Sequence, residues 1–216
     1  MGIAKTSLKC EERRLIMSPR CDGFRRQIGY RKPKKHFHIA TEGNETEPRY
    51  FELFKTTRED EIQLKIIPSK HKSRPLQVLE HLKLHVAKNG RKGDEAWLVI
   101  DRDAWDEAEL NDVFREAQSY GYEVALSNPC FELWLYLHMR DNRLFANRHQ
   151  CQDMLQDVLD GYDPNKKSTY KTECLLPNVD MAIQRAQGLD LHPNDLWPRN
   201  QATRVYKLIH RIRRNL

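Results

Sequence analysis

An α/β fold, a parallel sheet with helices on both faces, is predicted by three observations. Strand and helix patterns alternate four times between residues 36 and 139. The strand pattern Ala96-Trp97-Leu98-Val99-Ile100 is apolar without a break, as in strands covered on both faces. Acids also stand at the ends of strand patterns, where open α/β sheets gather their chemistry.

Taken in order, residues 1–35 show no sustained periodicity and end in Arg31-Lys32-Pro33-Lys34-Lys35, which reads as a basic N-terminal arm. His36–Thr41 is a short strand, and Pro48–Thr57 is a helix with Tyr50, Phe51 and Phe54 on one face. Gln63–Ile67 is a strand stopped by Pro68. Pro75–Lys88 carries Leu76, Leu79, Leu82 and Val86 at helical spacing, and Asn89-Gly90-Arg91-Lys92-Gly93 stops it. Glu95–Asp101 is the buried strand. Asp106–Tyr120 is a helix closed by Gly121, Tyr122–Ser127 a strand, and Cys130–Met139 an apolar helix. After residue 140 the alternation stops. His149–Leu159 and Val179–Gln187 read as helices around a polar loop, Gly161–Asn178, and Thr203–Arg214 as a basic helix with Val205, Leu208, Ile209 and Ile212 turned inward. The economical division is an arm over 1–35, an α/β core over 36–140 and a C-terminal helical extension over 141–216.

The 216 residues are 39% hydrophobic and 31% charged, with a mean hydropathy of −0.81, which suits one polar domain with an appendage. No run reaches the ~18–20 apolar residues of a membrane span, and residues 1–35 contain no secretory apolar core. Met1-Gly2-Ile3-Ala4-Lys5-Thr6 fits the myristoylation pattern, a match short enough to be common by chance. Five scattered cysteines without a C-x-x-C pair argue for reduced thiols in a cytoplasmic setting, against both disulfides and a zinc knuckle.

The net charge of +6 hides a pattern. Residues 1–38 sum to +8 (11 basic, 3 acidic), 39–198 to −8 (20 and 28) and 199–216 to +6 (6 and 0). An acidic middle between basic ends suits a protein that grips a polyanion while gathering carboxylates at one place. Phe24, Tyr30 and Phe37 add rings that can stack on bases. The plainer alternative is a solubilising arm.

Three carboxylate motifs carry the chemistry. In Val99-Ile100-Asp101-Arg102-Asp103 both aspartates fall where the buried strand ends, and paired hard oxygens suit Mg²⁺ or Mn²⁺. D-x-D alone is weak, since it also occurs in metal-dependent glycosyltransferases, haloacid-dehalogenase phosphatases and ordinary surfaces. The Ala104-Trp105 that follows disfavours the phosphatase reading. In Thr41-Glu42-Gly43-Asn44-Glu45-Thr46-Glu47-Pro48 a strand ends at an acid, a glycine turns, and a second acid opens a helix, whose dipole favours an anion there. Capping alone would also explain that cluster. In Ser127-Asn128-Pro129-Cys130-Phe131-Glu132 a strand ends in polar residues, and Glu132 opens a greasy helix in which a lone carboxylate is costly unless paired. Three strand ends bearing acids favour a metal-binding crevice over any single motif.

Glu-Gly after a first strand with Asp-x-Asp after a later one resembles the signature of the Toprim fold of topoisomerases, bacterial primases and OLD-type nucleases. Within that fold the strings TEGNETEPRYF, VIDRDAW and LSNPCFELWLYLH resemble the RloB family, small bacterial proteins associated with phage defence. The resemblance is close over 36–140 and looser through Tyr170-Lys171 and 198–208. It implies a Toprim-like, Rossmann-like catalytic core and metal-dependent phosphodiester cleavage. Glu42 would be a ligand or general base, Asp101 and Asp103 would hold Mg²⁺ (or Mn²⁺), and Glu47, Ser127 and Glu132 would complete a two-metal arrangement. Lys171 would neutralise the scissile phosphate. The spacing from Glu42 to Glu47 is one residue longer than in many OLD-type sequences, so Glu45 and Glu47 both stand as candidates.

Other residues weigh less. His81 and His85 are four apart on one helix with no third ligand nearby, which favours two exposed histidines. His138 fits a core histidine better than a proton shuttle, and Trp97 and Trp105 fit packing around the D-x-D. No Walker A loop is present, so an ATPase, if the system needs one, is a separate partner. The expectation is a Mg²⁺/Mn²⁺-dependent endonuclease acting in anti-phage defence on RNA (tRNA included) ahead of DNA. Arg25, Arg26, Arg31, Lys32, Lys34, Lys35, Arg211, Arg213 and Arg214 would hold the nucleic acid. A homodimer is compatible with the size. The competing expectation is a Toprim module that binds nucleic acid or a partner, its activity gated by or residing in that partner. A primase-like nucleotidyltransferase comes third for want of a zinc module.

Overall fold

The computed structural model describes residues 35–55, 62–69, 74–102, 105–166 and 170–215. The expectations placed on Arg25, Arg26, Arg31, Lys32, Lys34 and Asp103 lie outside them. The elements run β1 (Lys35–Thr41), α1 (Thr46–Glu52), β2 (Ile62–Pro68), α2 (Pro75–Asn89), β3 (Glu95–Asp101), α3 (Glu107–Ser119), β4 (Glu123–Asn128) and α4 (Glu132–Met139). Then follow α5 (Arg148–Gln156), a 3₁₀ turn (Leu176–Asn178), α6 (Val179–Leu189), β5 (Ala202–Thr203) and α7 (Val205–Arg214).

The sheet order is β2-β1-β3-β4-β5, with the first four strands parallel and β5 antiparallel to β4. The α/β class and its mostly parallel sheet are therefore as the alternation predicts. Successive strand side chains point to opposite faces, and each face meets its own helices. Phe37, Ile39, Trp97, Val99 and Ala125 pack under residues of α1 and α4–α7. Ala40, Leu98, Ile100, Val124 and Leu126 pack under α2, α3 and Trp197. Burial of both sets explains why β3 reads as an unbroken apolar run. Gly121, at φ +71°, closes α3 in a left-handed turn that brings the N–H of Tyr122 to the Ala117 carbonyl at 2.9 Å.

The order reverses at β1, which has β2 on one side and β3 on the other, so a crevice opens at the carboxyl ends of β1 and β3. The C-terminal segment adds to this frame. Thr203 pairs with Ser127 in β5, a two-residue strand too short to show a period. Arg204 fixes it from within: its guanidinium is buried on Asp190 (3.1 Å) and on the carbonyls of His192, Asp195 and Leu196. Among the described residues no helix is long and apolar enough to cross a membrane.

Candidate functional site

One cavity of about 490 Å³ sits at this reversal, lined among others by Glu42, Glu45, Glu47, Asp101, Glu132 and Arg148. Parallel pairing of β1 and β3 puts Glu42 and Asp101 at the same edge. Glu42 donates its N–H to the Val99 carbonyl, and its Oε2 accepts the N–H of Asp101, both at 3.0 Å. Glu47 enters from the first turn of α1, and its Oε1 accepts the N–H of Gly43 at 2.9 Å. A Cβ at residue 43 would overlap that carboxylate, so only glycine leaves Glu47 in this position. Glu132 enters from the first turn of α4, where its Oε1 accepts the Tyr162 hydroxyl (2.8 Å) and the Gln152 amide (3.2 Å).

These acids repel one another out of water. Burial above all raises the Glu42 carboxyl to about 7, with the charge of Glu47 adding to it. Burial raises Glu47 to about 7 as well, with help from Glu132. Asp101 is pushed well above the usual carboxylate range by burial and by Glu42, Glu47 and Glu132. Arg148 opposes the rise at all three. Asp101 Oδ1 is buried without a hydrogen-bond partner. An all-oxygen lining with raised carboxyl pKa values and an unpartnered carboxylate oxygen is the donor class of a hard divalent cation, although these acids are not among the groups of described residues whose ligand atoms already lie within 4.8 Å of one another.

A family model described as RloB-like protein matches residues 37–212. The chain belongs to the RloB-like family. Neither a curated protein nor a solved structure matches it.

Within this RloB-like chain the other expected residues fall in several places. Glu45 and Glu47 both line the cavity. Ser127 is fully buried with its Oγ 2.8 Å from Thr203 Oγ1, and it is not part of the cavity wall. Lys171 is exposed on Asp160, 2.5 Å away. Of the basic residues expected to hold nucleic acid, the four described ones make ion pairs or lie beside one away from the cavity. Lys35 (2.6 Å) and Arg211 (3.4 Å) both pair with Glu95, the first residue of β3, at the edge opposite Asp101. Arg213 pairs with Asp180 of α6, and Arg214 shares its last turn of α7. The reason is directional. β5 runs antiparallel to β4, so the chain and then α7 descend away from the cavity.

His138 is buried, with Nδ1 2.9 Å from the Trp134 carbonyl and Nε2 3.1 Å from the Tyr50 hydroxyl, a core histidine as its place in an apolar helix suggests. His85 is not an exposed partner of His81, for its ring stands 5.2 Å from that of His38.

Three residues at the site came from beyond the alternating pattern. Arg148 opens α5 behind its cap Asn147, whose side chain accepts the Gln150 N–H at 3.0 Å. Gln152 follows on the same helix. Tyr162 comes from the polar loop, which is pinned by Tyr170: its hydroxyl donates to the Thr46 carbonyl (2.8 Å), and its own carbonyl accepts Arg49 Nε (3.0 Å). An Asn cap before an Arg at a helix start was the one local signal for Arg148.

A second group stands at the opposite edge of the sheet. Among the described residues, His36, His38 and Asp94 bring ligand atoms within 4.8 Å of one another and could hold a metal ion.

Proposed function

We propose that this RloB-like chain is a divalent-metal-dependent endonuclease with a Toprim-like core, cutting RNA ahead of DNA as an effector of anti-phage defence. The observation that carries this reading is the convergence of Glu42, Glu47, Asp101 and Glu132 on one cavity faced by Arg148. The RNA preference and the defence role rest on the family resemblance.

Glu42, Glu47, Asp101 and Glu132 would hold the metal, Mg²⁺ or Mn²⁺, with Asp103 as the further acid of the motif. Bound there, the ion supplies a Lewis acid for the phosphoryl oxygens and an activated water. The chain itself supplies the rest. Arg148 would bind a non-bridging phosphate oxygen and offset the charge that builds on the phosphoryl oxygens. Glu42, its Oε2 oriented by the Asp101 N–H, would serve either as a ligand or, left uncoordinated with its carboxyl at about 7, as the group that takes a proton near neutral pH. Tyr162 and Gln152 fix the Glu132 rotamer. Trp105 walls the cavity and offers a face for a base, while Phe131, packed on Tyr50 and Phe51, forms its floor.

The test is cleavage of labelled tRNA, total RNA and plasmid DNA by the purified chain in Mg²⁺, Mn²⁺ or EDTA, beside Asp101→Asn. Cutting that needs the metal and disappears in the folded variant is the expected result. Cutting that survives in EDTA or in Asp101→Asn removes the site assignment. Absence of cutting by a metal-loaded wild-type chain moves the activity to a partner.

A further inference from the structure

We propose that His36, His38 and Asp94 form a site for a borderline transition-metal ion, zinc first, at the amino-terminal edge of the sheet and independent of the carboxylate cavity. His36 and His38 are two apart on β1 and so share a face, and the register sets them beside the start of β3, which Asp94 precedes. Asp94 Oδ2 lies 3.5 Å from His36 Nδ1 and 3.1 Å from His38 Nε2. Tetrahedral zinc with bonds of about 2.0–2.1 Å places neighbouring ligand atoms roughly 3.3 Å apart, so the spacing already matches.

The carboxylate is oriented before any ion arrives. Its Oδ1 accepts the His36 N–H (3.1 Å) and its Oδ2 the Arg91 N–H (2.8 Å). An ordinary histidine–aspartate network would leave few nitrogens over. Here His38 Nε2 is hydrogen-bonded to Asp94 Oδ2, whereas His36 Nδ1 beside it and His85 Nε2 are buried without a hydrogen bond. The side chains of His36 and His38 are only 6% and 1% exposed. His85, its ring 5.2 Å from that of His38, extends the cluster onto α2. Access is open, since His38 and Asp94 line a cavity of about 310 Å³ with Gly90, Arg91 and Tyr122. Arg91 and Lys65 set positive charge against the cluster, so affinity falls below that of a thiolate site. Two imidazoles and one carboxylate are the ligand class of zinc, and of Co²⁺ as its reporter, rather than of Mg²⁺.

The experiment takes the full chain stripped with EDTA, then titrates Zn²⁺ by calorimetry and Co²⁺ by visible absorption, with melting curves alongside. With the carboxylate cavity saturated by excess Mg²⁺, expected are one tightly held Zn²⁺ per chain, the intense visible bands of tetrahedral Co²⁺, and a rise in Tm of roughly 5–10 °C at a hundred times Kd. Binding should vanish in His38→Gln and Asp94→Asn and persist in Asp101→Asn. Persistence in the first two, loss in Asp101→Asn, or no Zn²⁺ taken up by the folded wild type overturns the proposal. If both site variants fail to fold, the wild-type Co²⁺ spectrum decides, and weak octahedral bands count against the site. Failure of the nuclease assay leaves this result untouched, because the readout is binding at the other edge of the sheet.

Discussion

Replacing Glu47 by Gln should make the metal-free protein more stable at pH 8 and leave it nearly unchanged at pH 4.5. The Gln carbonyl can still accept the Gly43 N–H that Glu47 Oε1 accepts at 2.9 Å, so what the change removes is charge. Glu47 is 6% exposed, and its carboxyl stands at about 7 against an ordinary 4.5. Below pH 4.5 the carboxyl is protonated in both the folded and unfolded chain and costs nothing. Between 4.5 and 7 the unfolded chain gives up the proton first, so stability falls with rising pH. Above 7 the full penalty is present, on the order of 3 kcal/mol at 1.36 kcal/mol per pKa unit. Urea unfolding of both proteins in EDTA at half-unit steps from pH 4.5 to 8 measures the difference directly. Wild type and variant should agree at the acid end and diverge by about 3 kcal/mol at the alkaline end. Adding Mg²⁺ at pH 8 should close much of the gap by stabilising the wild type more than the variant. A variant that is less stable at every pH, or a gap that does not grow between 4.5 and 7, would refute the claim that the cavity stores repulsion which a cation relieves.

Arg148→Gln should lower kcat on the nucleic-acid substrate by about 10²-fold, the usual cost of losing one charged stabiliser, whereas Lys171→Ala should change it little; steady-state kinetics of the two variants separates them. Gly43→Ala should displace the Glu47 carboxylate and depress metal affinity with a small loss of Tm, which calorimetry and melting curves on one sample will show. His138→Gln should flatten the acid limb of stability. Burial lowers His138 to about 4 from 6.5, so the unfolded chain binds its proton first, and folding loses on the order of 3 kcal/mol as pH falls from 6.5 to 4; denaturant melts across that window read the slope.

Much of the fold was legible because its signals are local. An unbroken apolar run announced β3 at its observed bounds, Glu95–Asp101, and Pro75 and Gly90 bracketed α2. Helix starts were less sharp. α1 begins at Thr46 rather than Pro48, since Pro sits comfortably within a first turn, and α4 begins at Glu132 because Cys130 and Phe131 contribute only carbonyls to it. The acids at strand ends were equally readable, for a strand's last residue needs no partner to be recognised. What escaped are contacts made across the chain. Tyr162 meets Glu132 thirty residues away, and Thr203 occupies the Ser127 hydroxyl seventy-six residues away. No period or spacing encodes such pairs. The basic C-terminal helix shows the same limit: its composition is local, but where it lies is fixed by contacts such as Arg211 with Glu95, more than a hundred residues away.

That placement changes how the charge pattern should be understood. An acidic middle between basic ends suits a protein that grips a polyanion while gathering carboxylates at one place. Among the described residues these charges are sorted along the strands. Glu42, Glu47, Asp101 and Glu132 gather at the carboxyl edge, while Lys35 and Arg211 meet Glu95 at the amino edge. Seven residues of strand at about 3.3 Å each separate the two by roughly 20 Å, well beyond the ~8 Å Debye length of physiological salt. Cations at that distance cannot offset the raised carboxyls at the cavity. Arg148 is the cation the cavity holds close, and the remaining charge imbalance is what a divalent ion would answer. The strand that carries Asp101 at one end is preceded by Asp94 at the other, so one central element supplies a carboxylate to each of two chemically different settings, hard oxygens above and imidazoles below. Because strand pairing fixes both ends at once, the same register that brings Glu42 to Asp101 brings His36 to Asp94.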